Sequence, residues 1–229
     1  MKFVSWDSLP PNMKNESVKR YYEIIAKKKK SLICKRLFDL IVSIFMLIIM
    51  LPLFLLISVI IKIDSKGPVF YRQVRVTQFG RRFKILKFRT MVNDADKIGT
   101  LVTTNCDKRI TGIGRVLRKL RLDEIPQFLN IISGDMTFVG TRPEVPKYTE
   151  QYTDEMMATL LMPAGVTSEA SILYKDEEKL ISNSEDADRT YAKEVLPEKM
   201  KYNLDGLINF SFFNDIKTMV RTAFAVIVR

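Results

Sequence analysis

Asp123 and Glu124 are adjacent carboxylates that follow the basic residues Arg115, Arg118 and Lys119 and precede an apolar stretch opened by Pro126. An acidic pair in such company suits phosphorus chemistry: one carboxylate attacks a phosphorus atom while its neighbour holds Mg²⁺. The spacing places Asp123 at the N-cap of a helix, with Pro126 in the first turn where its missing N–H costs little. Unpaired N–H groups at such a terminus favour phosphate. The same two residues also read as a helix cap with first-turn decoration, and spacing alone leaves both open. A Gly-punctuated loop from Ser133 to Glu144 can approach a ligand closely, and Arg142 is its candidate anion contact; a turn with a solvated Arg is the alternative.

The 229 residues include no histidine and only two cysteines, Cys34 and Cys106. Ser-His-Asp and Cys-His nucleophiles, the usual zinc hydrolase sites and a disulfide framework are thereby excluded. Chemistry must run on carboxylates, Lys, Arg, Tyr or a hard metal. A formal net charge of +11, with cations crowded into the first half, asks for an anionic partner. Nucleic acid is not expected, because no binding motif or aromatic-basic platform accompanies the charge.

Several elements must position these groups. Val69–Val76 and Arg82–Thr90 alternate apolar and basic residues around Phe79-Gly80, predicting a β-hairpin whose polar face carries Arg and Lys suited to phosphate oxygens. Gly112–Leu122 puts Ile113, Val116, Leu117 and Leu120 on one helical stripe; Ile125, Phe128, Leu129 and Ile132 form a second. Ser17–Lys30 predicts an amphipathic helix, interfacial or packed on its own domain, and the same alternative holds for the helix after Ser211. Asp94–Arg109 reads as irregular and Glu177–Arg189 as a solvated acidic segment.

Leu40–Ile61 is apolar apart from Ser43 and Ser58 and is broken by Pro52. Roughly 20 apolar residues at ~1.5 Å each cross a ~30 Å hydrocarbon layer, so the run is barely long enough to span unbent. Pro52 removes a backbone donor and predicts a bend near Met50–Pro52. Both flanks are basic, and a broken helix that enters and leaves one leaflet satisfies both under the positive-inside bias. A re-entrant anchor is therefore expected over a single span or a buried core helix. The run starts too late for a signal peptide, so it is expected to be retained.

Together, KRLFD at Lys35–Asp39, the proline-broken run, GPVFYRQ at Gly67–Gln73, KFRTM at Lys87–Met91, RKLRLDEIPQFLNII at Arg118–Ile132 and GDMTFVGTRPE at Gly134–Glu144 resemble the bacterial sugar-transferase family. These are small monotopic polyprenyl-phosphate phosphoglycosyl transferases. The resemblance implies transfer of a sugar-1-phosphate from a UDP-sugar to undecaprenyl phosphate through an aspartyl-phosphate, with Mg²⁺ and release of UMP. That would be the first membrane step of capsule, exopolysaccharide, O-antigen or glycoprotein glycan assembly. It implies Asp123 as nucleophile, Glu124 as Mg²⁺ ligand, Lys87, Arg89, Arg118 and Arg142 as phosphate contacts, and Pro52 as the helix break. The fold implied is α+β and mostly helical: an N-terminal extension (1–34), a re-entrant membrane helix (35–63) and a cytoplasmic catalytic domain (64–229) with a β-hairpin and surface amphipathic helices. The expected location is the bacterial inner membrane, with the catalytic domain on its cytoplasmic side. Expected partners are the donor, the acceptor and membrane lipids, with a homo-oligomer left open. Leu51-Pro52, Thr141-Arg142-Pro143 and Met162–Thr167 depart from the family's Ser-Pro, Pro-Arg-Pro and Arg-Pro-Gly-Ile-Thr. These departures motivate a second reading, a catalytically impaired membrane scaffold of a glycan-assembly complex.

Overall fold

The computed structural model describes residues 3–93, 95, 107–174 and 186–227. The stretch 94–109, with Cys106, and the acidic stretch 177–189 fall largely outside them.

Helix α1, Glu16–Ala26, starts where the Asn15 side chain accepts the Val18 N–H at 2.9 Å. Its stripe Val18, Tyr21 and Ile25 is buried against Leu160, Leu161, Leu204 and Leu207, so the chain itself covers this apolar face. Two helices follow, α2 at Lys29–Ile49 and α3 at Leu51–Asp64, which meet at Met50 with a bend of 62°. Pro52 stands in the first turn of α3 and has no N–H for the ladder, which accounts for the break predicted there. Among the described residues no single helix is long and apolar enough to cross a membrane; this bent pair passes that test only together.

α2 has two dissimilar faces. Lys35, Asp39 and Ser43, four residues apart, are buried. The Lys35 Nζ donates to the Val139 carbonyl at 2.8 Å and to Asp215 at 2.5 Å, and the Thr137 hydroxyl donates to Asp39 at 2.6 Å. These buried charges are tolerated because Lys35 is ion-paired and Asp39 accepts hydrogen bonds from the Thr137 hydroxyl and the Phe138 N–H. The opposite face leaves Leu37, Ile41, Phe45 and Ile48 uncovered, and α3 continues it with Leu55, Val59 and Ile63.

β1 (Phe70–Val76) and β2 (Arg82–Phe88) form the expected antiparallel hairpin, with Phe70 opposite Phe88 and Val76 opposite Arg82. Its turn takes the left-handed conformation at Phe79 (φ 60°) and Gly80 (φ 73°). Helices α4 (Gly112–Lys119) and α5 (Gln127–Ser133) come next, then β3 (Met136–Val139), α6 (Pro146–Thr149) and β4 (Ala164–Thr167). β3 and β4 pair in parallel, Thr137 opposite Gly165. The chain closes with α7 (Glu169–Leu173), α8 (Ala187–Thr190), a π-helical turn at Tyr191–Val195, α9 (Leu196–Ile208) and α10 (Phe212–Ile227). The described residues are mostly helical, with two small sheets among them, in keeping with the expected α+β, mostly helical fold.

The predicted stripes divide. Leu117 and Ile125 are buried with Ile57, Ile61 and Phe88, whereas Val116 and Leu120 are about half exposed and Leu129 is exposed. α10 does the same: Met219 lies against the Phe138 cluster, while Phe213, Val220 and Phe224 stay uncovered.

Candidate active site

The floor of the site is the cluster that joins α3 to β2. The Phe54 ring packs tilted against Phe88, centroids 4.8 Å apart, and Ile57, Ile61, Leu117 and Ile125 complete the layer. Two of these residues have reactive neighbours in sequence: Lys87 precedes Phe88, and Glu124 precedes Ile125. Burying the apolar member of each pair fixes the polar member above it.

Between α4 and α5 the backbone does something the spacing did not disclose. Arg121 adopts the left-handed conformation (φ 57°), and Leu122–Glu124 form a 3₁₀ turn that runs on into α5. The N–H groups of Ile125, Phe128 and Leu129 therefore find the carbonyls of Leu122, Ile125 and Pro126 at 3.1–3.3 Å. α5 begins at Gln127 with Pro126 before it, so the expected N-cap role of Asp123 is corrected, and so is Pro126 as a first-turn residue. With the leading donors satisfied by backbone, both carboxylates are left to face the hairpin.

Lys87 is the centre of that meeting. Its Nζ donates to Glu124 Oε1 at 2.8 Å and stands 3.9 Å from Asp123 Oδ2. Arg142 donates to the same Glu124 oxygen at 3.0 Å, and Arg121 lies 3.9 Å from it. Arg118 contributes to the field at Asp123. Burial pushes the Asp123 carboxyl above its ordinary range; Lys87 opposes this and Glu124 adds to it. Burial acts on Glu124 in the same direction, but Lys87, Arg142 and Arg121 outweigh it and hold Glu124 well below the usual carboxylate range. Burial lowers the Lys87 ammonium, with Glu124 opposing. The pair is thus divided into a firmly ionised, cation-bound Glu124 and a more basic Asp123.

Arg142 reaches Glu124 because two glycines let backbones approach. The Gly140 N–H donates to the Thr167 carbonyl and the Gly165 N–H to the Thr141 carbonyl, at 2.9 and 2.8 Å. A Cβ on Gly165 would stand 2.2 Å from the Gly140 nitrogen. The departures at Thr141 and Ala164 are therefore accommodated: Ala164 is a buried strand residue opposite Met136, and the glycine contact beside it is intact.

Arg89 stands apart from this group. It is buried, and its guanidinium donates to the carbonyls of Ser65 and Lys66 at 2.7 and 2.9 Å and to the Ser65 hydroxyl at 2.9 Å. β2 ends at Phe88, so the alternation that would keep Arg89 beside Lys87 no longer applies. Lys87 and Arg142 contact the acidic pair and Arg118 adds its charge to the field at Asp123, whereas Arg89 fastens the end of α3. Pro52 sits at the bend, not in the site. Arg121 is the cation that spacing passed over, although its place three residues before Glu124 was a signal.

A family model described as bacterial sugar transferase matches residues 30–229. The chain is 32% identical over 191 residues to a UDP-N-acetylgalactosamine-undecaprenyl-phosphate N-acetylgalactosaminephosphotransferase of Aeromonas hydrophila, covering 82% of this chain and 42% of that one. It is 34% identical over 200 residues to a UDP-glucose:undecaprenyl-phosphate glucose-1-phosphate transferase of Klebsiella pneumoniae, covering 85% of this chain and 40% of the relative. Against the sugar transferase EpsL of Bacillus subtilis (strain 168) the identity is 34%, covering 86% of this chain and 89% of the relative. The chain thus spans about two fifths of the first two relatives and most of the third.

Proposed function

This chain belongs to the bacterial sugar transferase family, and from that premise we propose that it transfers a sugar-1-phosphate from a UDP-sugar to undecaprenyl phosphate at a membrane surface. The observation that carries the reading is the acidic pair itself: Asp123 and Glu124 within a ring of Lys87, Arg142 and Arg121, built directly on the helix that leads into the uncovered apolar bend.

In the first step a carboxylate oxygen of Asp123 attacks the phosphorus that bears the sugar. The bridging P–O bond breaks, and UMP leaves with its electron pair. An oxygen of the acceptor phosphate then attacks the same phosphorus and displaces Asp123. A carboxylate approaching a diphosphate meets like charge, and the surrounding cations offset it; removing one such contact typically costs on the order of 10²–10³-fold. The raised affinity of Asp123 for a proton marks it as the better nucleophile of the two. Mg²⁺ takes one or two carboxylates and completes its shell with phosphate and water oxygens. Glu124 fits that need: it is ionised, and its two closest cation contacts fall on one oxygen, Oε1. When bound, the ion supplies further charge neutralisation on the diphosphate.

A polyprenyl acceptor stays in the bilayer, so the site must sit at headgroup height. The bend with its apolar outer face supports a re-entrant anchor that enters and leaves the cytoplasmic leaflet of the inner membrane. Leaving such a surface in water would cost roughly 1 kcal/mol or more per large side chain. The test is UMP release from a panel of UDP-sugars, with undecaprenyl phosphate, Mg²⁺ and protein held in nanodiscs. Release with at least one donor is expected, together with loss of at least about 10³-fold in Asp123→Asn. Full activity in that variant would overturn the nucleophile, and no release from any donor the transferase.

A further inference from the structure

Behind the Arg142 loop lies a buried polar chain that ends far from the acidic pair in sequence. Glu144, two residues after Arg142, is 5% exposed, and its Oε1 accepts the Tyr191 hydroxyl at 2.6 Å. Tyr191, 4% exposed, in turn accepts from the Lys199 Nζ at 3.2 Å, and Lys199 is equally buried. On the other side Arg75 donates to the Pro143 carbonyl at 3.1 Å and stands 4.0 Å from Glu144 Oε2. Arg75 is itself oriented by Gln73, whose side-chain oxygen accepts at 2.6 and 3.0 Å. The Val76 N–H closes the loop onto the hairpin by donating to the Glu144 carbonyl at 2.9 Å. Both residues that flank the chain position of Arg142 on its C-terminal side are therefore held by β1 in front and by the Tyr191–Lys199 pair behind.

The geometry of that pair is specific. In an uninterrupted α-helix, residues eight apart lie about 80° apart around the axis. Tyr191 opens a π-helical turn, Tyr191–Val195, and Lys199 follows in α9. The wider turn brings the two side chains onto one face, with Lys199 also 5.1 Å from the centre of the Tyr191 ring. Such turns recur at functional sites.

Resting on the transferase reading above, we infer that Tyr191 and Lys199 are positioning residues that act through Glu144 to hold Arg142 against the site. Neither touches the reacting atoms. Their effect is to deny the loop alternative arrangements, since displacing a substrate-positioning group by about 1 Å can cost on the order of 100-fold.

A double-mutant cycle tests this, read as the affinity of UDP in the presence of Mg²⁺ and in parallel as UMP release. Tyr191→Phe keeps the ring and removes the hydroxyl; it is expected to weaken UDP binding about tenfold in the wild-type chain. In an Arg142→Ala background the same change should cost less than about twofold, and in a Lys87→Met background it should keep its full effect. Equal losses in all three backgrounds would overturn the inference, because general damage to the fold does not distinguish Arg142 from Lys87. Should Tyr191→Phe fail to fold, Glu144→Gln and Lys199→Met enter the same cycle with the same expectations. A wild-type chain that binds UDP yet releases no UMP strikes the reaction and leaves the positioning claim to be judged by the affinities.

Discussion

Asp123 and Glu124 share a backbone and a pocket, yet the fold moves their acidities in opposite directions. Glu124 accepts from both Lys87 and Arg142, while Asp123 meets Lys87 only at 3.9 Å and is otherwise desolvated. Two consequences follow for experiment. A carboxyl raised in the folded state is less stable as its anion there than in the unfolded chain, so at neutral pH it detracts from stability. Asp123→Asn should therefore leave the melting temperature unchanged or higher at pH 7, and that gain should vanish below about pH 4, where Asp is protonated in both states. A loss of melting temperature at pH 7 would contradict the shift. Lys87 pulls the Asp123 acidity back towards its usual range, so Lys87→Met should push it up further. The acid limb of the pH–rate profile should then move to higher pH, with turnover down about 10²–10³-fold; an unmoved limb would mean that another group titrates. The acidic pair was legible from adjacency and its basic neighbours. Its freedom from capping duty was not, because the 3₁₀ turn depends on Arg121 entering the left-handed region, which few non-glycine residues do.

Among the elements, α3 carries the most weight, since one end meets the bend and the other is locked to the hairpin by Arg89. Gly67, at φ 130°, is the residue that makes room: a Cβ there would stand 2.0 Å from the Arg89 guanidinium. Replacing Arg89 with Ala would strand several carbonyls at the end of α3. We expect a loss of roughly 2–4 kcal/mol in denaturant unfolding in detergent, with Lys unable to restore it because one ammonium cannot reproduce the fork. A near-neutral Arg89→Lys would return Arg89 to the substrate side of the ledger. At the other end, Pro52→Ala restores an N–H to the ladder and should relax the 62° bend. Single cysteines placed at Lys27 and Lys66, in a chain with Cys34 and Cys106 changed to Ser, report this in sealed vesicles. Same-side labelling is expected for the parent and a growing opposite-side fraction for Pro52→Ala; opposite-side labelling of the parent excludes the re-entrant form.

For the molecule as a whole, polarity is sorted by face. α2 turns Lys35 and Asp39 inward to partners on β3 and α10 and turns its large apolar residues out. That inversion is uneconomical in water and sensible against lipid. α10 leaves Phe213, Val220 and Phe224 uncovered, whereas α1 spends its apolar stripe on the chain's own core. If the outer faces rather than the +11 charge hold the chain to membranes, washing with 1 M salt, where the screening length is about 3 Å, should leave it in the sedimented fraction and detergent should release it. Release by salt alone would indicate electrostatic attachment.

The sequence by itself determined the hairpin, the proline break, the apolar run and the identity of the acidic pair, because each is written in residues that are neighbours along the chain and obey a short period. Only tertiary structure decided which cations serve that pair. Lys87 and Arg142 converge on Glu124 from 37 and 18 positions away, and Arg89, two residues from Lys87, is diverted to the end of α3. The same holds for Tyr191 and Lys199 behind Glu144. A charged side chain's role depends on which carbonyl or carboxylate the packing brings within about 3 Å, and no local pattern encodes that distance.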